Sequence, residues 1–326
     1  MLTPRSLSGR LVNVFEQRVR KKSNAILLRE RITKELRHHR TDVLLAEYGP
    51  TAEELIKSAR AAGVPLVAHF HGYDAHKKAP LERYGNYKRL FYAAAAIVVV
   101  SRAMEQQMLA LGAPRERLHY IVYGTDTERF TSGDPAANLP HFVAVGRFTD
   151  KKAPQLTLLA FREAWRQRPD ARLTMVGTGP LWEGVRQLVQ SYGMEDVVDL
   201  PGVLPPEQVA ERLRGARAFV QHSLTTGEHD MEGTPLAVLE AMATGLPVVS
   251  TYHAGIPDVV AHGERGLLSA EYDIDAMADH LVQLIDHPEQ AASMGQAGRA
   301  YVLAHHRVED RIGVLQSLLE QVAAGG

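Results

Sequence analysis

From residue 42 onward the chain alternates, twice over, between short apolar runs and longer segments of helical periodicity. In the first series, residues 42–48 (DVLLAEY), 65–71 (PLVAHFH), 97–101 and 119–123 read as strands. Residues 51–62, 84–95 and 102–111 between them read as helices. Residues 131–140 (TSGDPAANLP) are polar, hold two prolines and a glycine, and read as a linker. In the second series, residues 142–146, 172–177, 197–202, 218–222, 247–251 and 266–268 read as strands. Helices are expected at 154–168, 181–192, 206–214 and 235–244, and helix also fills 274–322 except near His287-Pro288 and His306. Strand–helix alternation of this length calls for parallel sheets with helices on both faces. Two series around a linker give an α/β chain of two doubly wound, Rossmann-like domains, at 1–134 and 135–306. Ligands of such sheets bind outside the carboxyl ends of the strands, so the expected site is the cleft between the domains.

Composition narrows the function. The 326 residues suit two domains. No cysteine is present, which removes disulfides, thiolate metal sites and cysteine nucleophiles. A net charge of −1 gives no whole-chain reason to expect nucleic acid as a partner. No apolar run approaches the roughly 20 residues of a membrane helix, and the N-terminus lacks a signal-peptide core. A cytoplasmic location is expected. Residues 1–40 hold eleven Lys/Arg against three Glu, with Leu7, Leu11, Phe15 and Val19 at every fourth position. This segment is an amphipathic helix that either packs on the domain or docks on an anionic membrane surface.

Three segments carry chemistry. In Glu232-Gly-Thr-Pro-Leu-Ala-Val-Leu-Glu240, Thr234 suits an N-cap and Pro235 the first helical position. The free N–H groups of such a helix start bind phosphate, and Gly233 lets the anion approach. Glu240 shares a helix face with Leu236 and is placed to accept hydrogen bonds from ribose hydroxyls. Glu232, just before the helix, is placed to accept them from a sugar. The plainer reading is a proline-started helix with a solubilising glutamate. In Val145-Gly146-Arg147-Phe-Thr-Asp-Lys-Lys152, a strand runs into a basic loop. Arg147 suits a bidentate phosphate contact and Lys152 adds a point charge; the pair would neutralise a departing nucleoside diphosphate. The alternative is a solvated basic loop. In His69-Phe-His71-Gly-Tyr-Asp74, His71 ends a strand and should reach the cleft, whereas His69 is expected to be structural. Gly177 (in Gly-Thr-Gly-Pro) and Val203 (after Pro201-Gly202) mark further strand ends facing a nucleotide. His222, Glu228, His229 and Asp230 match no standard metal-ligand set, so no metal ligand is expected.

With those residues in place, the chain from about Asp42 onward resembles glycosyltransferase family 4, retaining enzymes of the two-Rossmann GT-B architecture. The E-x7-E of Glu232 and Glu240, the following Ala-Met-Ala-Thr-Gly-Leu-Pro-Val-Val, and the G-R-x4-K of Arg147 and Lys152 carry the likeness. It looks most like the bacterial exopolysaccharide and lipopolysaccharide members. The resemblance implies donor contacts from Gly146, Gly177, Val203, Gly233, Thr234, Pro235, Leu236 and Glu240, and catalytic roles for His71, Arg147, Lys152 and Glu232. It implies a UDP- or GDP-sugar donor, a glycan or lipid-linked acceptor, no cofactor or metal, and a last helix (307–326) crossing back to the first domain. It also implies that the first domain is shortened, because residues 1–40 show neither the opening strand nor the Gly-Gly loop of such enzymes. Tyr123-Gly-Thr-Asp126 stands where an Asn-Gly-[Ile/Val]-Asp turn is usual. Two other readings are a non-catalytic nucleotide-sugar-binding protein and a different GT-B chemistry, an epimerase or a phosphorylase. The E-x7-E spacing disfavours the epimerase, and the lack of a cofactor-lysine context disfavours the phosphorylase.

Overall fold

The structure, a computed structural model, describes residues 24–325. Leu7, Leu11, Phe15 and Val19 lie outside the described residues. The described part of the basic segment, α1 (Asn24–His38), is helical and buries Leu27 and Leu36. The first domain continues with β1 (Leu44–Glu47), α2 (Gly49–Ala62), β2 (Leu66–His69), α3 (Tyr73–His76), α4 (Lys78–Arg83), α5 (Lys88–Ala93), β3 (Ala96–Val99), α6 (Arg102–Ala110) and β4 (Leu118–Tyr120). Its sheet is parallel, in the order β1-β2-β3-β4.

The second domain holds β5 (His141–Val145), α7 (Pro154–Gln167), β6 (Arg172–Val176), α8 (Trp182–Ser191), β7 (Val198–Gly202), α9 (Pro206–Arg214), β8 (Ala218–Val220) and α10 (Leu236–Ala243). It closes with β9 (Val248–Thr251), α11 (Ile256–Val259), β10 (Gly266–Ser269), α12 (Ile274–Asp286) and α13 (Pro288–His305). A final helix, α14 (Val308–Ala324), follows. The second sheet is also parallel, in the order β10-β9-β8-β5-β6-β7. The chain starts at β5 in the middle, builds outward to β7, then returns to β8 on the other side. Strand order therefore reverses between β5 and β8, and a crevice opens there at the carboxyl ends.

Alternation along the strands explains why both faces are covered. Phe142 of β5 enters the core under α7 and α12, while its neighbour Val143 enters the core around Val238 and Met242 of α10. In the first sheet, Leu66 and Ala68 face one core and Val67 the other, where Leu318 of α14 joins Ala96 and Val98. The last helix thus covers the second face of the first sheet. The linker around 131–140 is held by side chains: Arg217 is buried and donates to the carbonyls of Pro135 and Asn138, both at 2.6 Å. Among the described residues no helix is long and apolar enough to cross a membrane.

Two local expectations fail. The single helix expected over 84–95 is broken, because Asn86 and Tyr87 adopt left-handed backbone, φ 54° and 57°. The break buries the Tyr87 ring completely, edge-on to Phe70 at 5.2 Å. Burial of one aromatic ring, about 150–250 Å², outweighs the few kcal/mol of backbone strain. The second failure concerns Thr234. Helix α10 starts at Leu236, with Pro235 at its N-cap and no side-chain cap. The Thr234 hydroxyl instead donates to the Val100 carbonyl of the first domain, at 3.2 Å.

That contact is one of several that hold the two sets of strand ends face to face. The Arg102 N–H donates to Asp258 at 2.8 Å, and the Lys78 N–H to the Glu228 carbonyl at 3.2 Å. One close approach is at Gly233, where a Cβ would stand 2.8 Å from Val100 Cγ2 and 3.0 Å from the His71 carbonyl oxygen. Only glycine fits there, so the Glu232-Gly233 segment lies directly against the His71 turn.

Candidate functional site

The site grows from the carboxyl end of β5. Gly146 donates to the Val176 carbonyl at 3.0 Å, and Gly177 to Gly202 at 2.8 Å, so the ends of β5, β6 and β7 stay together past the sheet. Gly177 sits at φ +128°, and a Cβ on it would fall 1.9 Å from the Gly146 carbonyl oxygen. Two loops can close here only on glycine. After Gly146, Arg147 is exposed, and among the described residues its guanidinium makes no ion pair or hydrogen bond. The chain makes a 3-10 turn over Asp150–Lys152, and Ala153 takes left-handed backbone before Pro154 opens α7.

That turn sends its two lysines apart. Lys151 bonds Asp230 at 3.1 Å and the Met231 carbonyl at 3.2 Å, fixing the loop that leads to Glu232. Lys152 turns inward under Gly146. Its Nζ lies 3.5 Å from Glu232 Oε1 and 3.5 Å from Gln221 Oε1 at the end of β8. The structure thus brings Lys152 of one motif and Glu232 of another onto the β5/β8 crevice. The Glu232 side chain is 10% exposed, and its Oε1 has no hydrogen-bond partner among the described residues. Buried carboxylate oxygens are normally hydrogen-bonded, so this acceptor is open to a ligand hydroxyl.

Glu232 is held from behind. Its N–H donates to His253 Nε2 at 3.1 Å, and His253 Nδ1 meets Glu271 Oε1 at 2.7 Å. Since Nε2 accepts, the proton of this buried imidazole sits on Nδ1 and points at Glu271. Glu271 is fixed in turn by the Thr225 N–H at 2.9 Å and the Thr225 hydroxyl at 3.1 Å. Burial pushes the Glu271 carboxyl up, but the Thr225 amide and the His253 ring outweigh it, so its pKa is lowered.

Helix α10 carries the remaining acid. No side chain caps it; the Val238 N–H donates to the Pro235 carbonyl at 3.0 Å, which leaves the N–H groups of Leu236 and Ala237 for an anion. Leu236 in that turn is 48% exposed, and Glu240 stands one turn on, half-buried. Burial raises the Glu240 pKa, and the positive charges of Arg129 and Lys152 pull it back in part. Val203, just beyond the carboxyl end of β7, is exposed.

Across the cleft, Asp74 shapes the His71 turn. It is buried, and its carboxylate accepts the N–H groups of His71 (2.9 Å), Gly72 (3.0 Å) and Gly49 (2.9 Å). Both ring nitrogens of His71 are engaged: Nδ1 with the Tyr123 hydroxyl at 2.5 Å and Nε2 with Glu47 at 2.5 Å. In this arrangement the imidazole offers no free nitrogen to the cleft. Gln221, His253, Glu271, Tyr123 and Glu47 were not singled out from the sequence. Tyr123 had a local signal, standing in the Tyr123-Gly-Thr-Asp126 turn; the other four lie outside the motifs.

The family model for Glycosyl transferases group 1 matches residues 126–301. The model for Glycosyltransferase Family 4 matches residues 6–129, so the likeness starts well before Asp42. A relative from Salmonella typhimurium, named as a colanic acid biosynthesis glycosyltransferase (WcaL), is 35% identical over 254 residues, 76% of this chain and 62% of its own length. The amylovoran biosynthesis glycosyltransferase AmsK of Erwinia amylovora is 32% identical over 79% of this chain and 64% of its own length. The chain therefore spans less than two thirds of these relatives. Among solved structures, Anabaena Alr3699/HepE in complex with UDP-glucose superposes with TM-score 0.77 at 18% identity, over 92% of this chain and 84% of that one. This likeness shows the fold, which is GT-B with two Rossmann-like domains. The chain belongs to the group 1 glycosyl transferases, within glycosyltransferase family 4.

Proposed function

We propose that the chain is a retaining, metal-independent glycosyltransferase that moves a sugar from a UDP- or GDP-sugar to a glycan, a glycolipid or a small-molecule acceptor. The observation that carries the reading is the Lys152–Glu232 pair at the β5/β8 crevice, 3.5 Å apart, with Glu232 Oε1 left without a hydrogen-bond donor. In this reading the donor diphosphate lies over Gly146 and Gly177 and against the start of α10 at Gly233, Thr234, Pro235 and Leu236. Glu240 takes the ribose hydroxyls, and Val203 flanks the base. The bond from the anomeric carbon to the β-phosphate oxygen breaks, and its electron pair stays on that oxygen. Arg147, Lys152 and the N-terminus of α10 meet the growing charge, the work a metal would otherwise do. The acceptor oxygen attacks on the same face, through an oxocarbenium-like transition state. Its proton passes to the departing phosphate oxygen. Glu232 holds the sugar hydroxyls, and His71 faces the acceptor side.

We assign 1–134 to the acceptor-side domain, 135–306 to the donor-side domain and 307–326 to the helix that returns. Residues 1–40 supply a basic segment that docks on the inner face of the membrane, beside a lipid-linked acceptor. A thermal-shift series with UDP-, GDP- and ADP-sugars tests the donor class. A ligand at a hundred times its Kd should raise the melting temperature by about 5–10 °C. No shift with any of the three rejects a nucleotide-sugar site. A shift without donor turnover or transfer makes the chain a non-catalytic binder.

His253 follows as a positioning residue. Replacing it with phenylalanine keeps the bulk and removes the acceptor of the Glu232 N–H. A Glu232 misplaced by about 1.4 kcal/mol in the transition state lowers kcat about tenfold. Donor KM should barely move, and His253→Asn should restore part of the rate. An equal loss in both variants, in proportion to unfolding, would mean His253 only packs.

A further inference from the structure

The first sheet gathers a second cluster of polar side chains, at the His71 end of β2. Strands β1 and β2 pair in register with Glu47 opposite His69. Extended residues two apart share a face, so His71 follows His69 onto the same side. Glu47 Oε2 stands 3.1 Å from His69 Nδ1 and 2.5 Å from His71 Nε2. One donor atom from each of the three residues lies within 4.8 Å of the others.

His69 is the informative member. Its side chain is 9% exposed, yet neither ring nitrogen has a hydrogen-bond partner among the described residues. The 3.1 Å approach to Glu47 is close enough for a hydrogen bond but not directed as one. Leaving such a buried group unsatisfied costs about 1–3 kcal/mol. Two donors that crowd each other without bonding each other are what ligands of one ion look like. With metal–donor bonds of 2.0–2.1 Å, tetrahedral ligands stand about 3.3 Å apart. The Glu47 side chain is 51% exposed and gives an ion its way in.

We propose that Glu47, His69 and His71 form a binding site for a transition-metal dication of the Zn2+ class, with water in the remaining position. Two imidazoles and one carboxylate suit Zn2+ and exclude Mg2+, which demands oxygen ligands. The site shares His71 with the acceptor side of the proposed reaction, but its test reads metal binding and stands apart from transfer.

Equilibrium dialysis of the untagged chain against ZnCl2 tests it. One equivalent of Zn2+ should bind in the presence of excess Mg2+, and Co2+ should give the visible absorption of a four-coordinate site. His69→Ala and Glu47→Gln should each weaken binding by at least about tenfold. Glu47→Gln changes a half-exposed side chain, so it guards against misfolding of the His69 variant. The exposed pair His38 and His39 is the competing site; replacing both with alanine should leave the bound equivalent in place. Absence of Zn2+ binding overturns the proposal. So does binding unchanged in the Glu47 variant, or lost with His38 and His39.

Discussion

Lys152→Ala is expected to lower the rate of sugar transfer about 10²–10³-fold, the usual loss when one preorganised charge is removed from a transition state. The loss should fall on kcat, with donor KM little changed, because the diphosphate gains its extra charge only as the bond breaks. Stability must be separated from this. Lys152 Nζ is 3.5 Å from Glu232 Oε1, and the two side chains are 18% and 10% exposed. Removing the lysine strands a buried carboxylate, and such breakage can cost several kcal/mol. The double variant Lys152→Ala with Glu232→Gln removes that charge. It should recover most of the melting temperature and none of the rate. Activity equal to the parent at equal melting temperature would end the assignment of Lys152 to the leaving group.

This pair also shows what a sequence can and cannot reveal. The two series of strands and helices were legible because period-2 and period-3.6 patterns are local. The crevice was legible because parallel sheets place ligands at strand ends. Lys152 and Glu232 were each marked by their motif, but their meeting depends on β5 and β8 being neighbours, which only the sheet order reveals. Tyr87 and Thr234 were misread for a related reason. Helix periodicity at 84–95 and cap preference at Thr234 are weak local terms. A buried aromatic ring overrode the first, and a contact between domains overrode the second. The support behind Glu232 joins Thr225, His253 and Glu271 from three separate segments, so no window of sequence contains it. The same holds for Glu47 and the two histidines opposite it: they were legible as strand residues, and their convergence required the β1–β2 register.

Glu240 should show opposite effects on binding and on stability. A carboxylate accepting ribose hydroxyls contributes about 1.5–3 kcal/mol, so Glu240→Ala should weaken nucleoside-diphosphate affinity about 10–100-fold by calorimetry. Unchanged affinity would remove Glu240 from the ribose site. The apoprotein should respond the other way to Glu240→Gln. Burial raises the Glu240 pKa in the folded state above its unfolded value, despite Arg129 and Lys152. A group shifted upward stabilises the fold while it is protonated, below the unfolded pKa, and that contribution is lost as pH rises through the folded pKa. Glutamine never ionises and avoids the loss. The variant should therefore melt about 2–4 °C higher than the parent at pH 8, for each kcal/mol of relief. The gap should close as pH falls toward the ordinary glutamate range, about 4.3. A variant that melts lower at pH 8, or a gap that widens toward acid, would mean that Arg129 and Lys152 already stabilise the charged form. If the gap behaves as expected and affinity still falls, the carboxylate is kept charged in a poorly solvated place for the nucleotide it binds, and the fold is less stable for it.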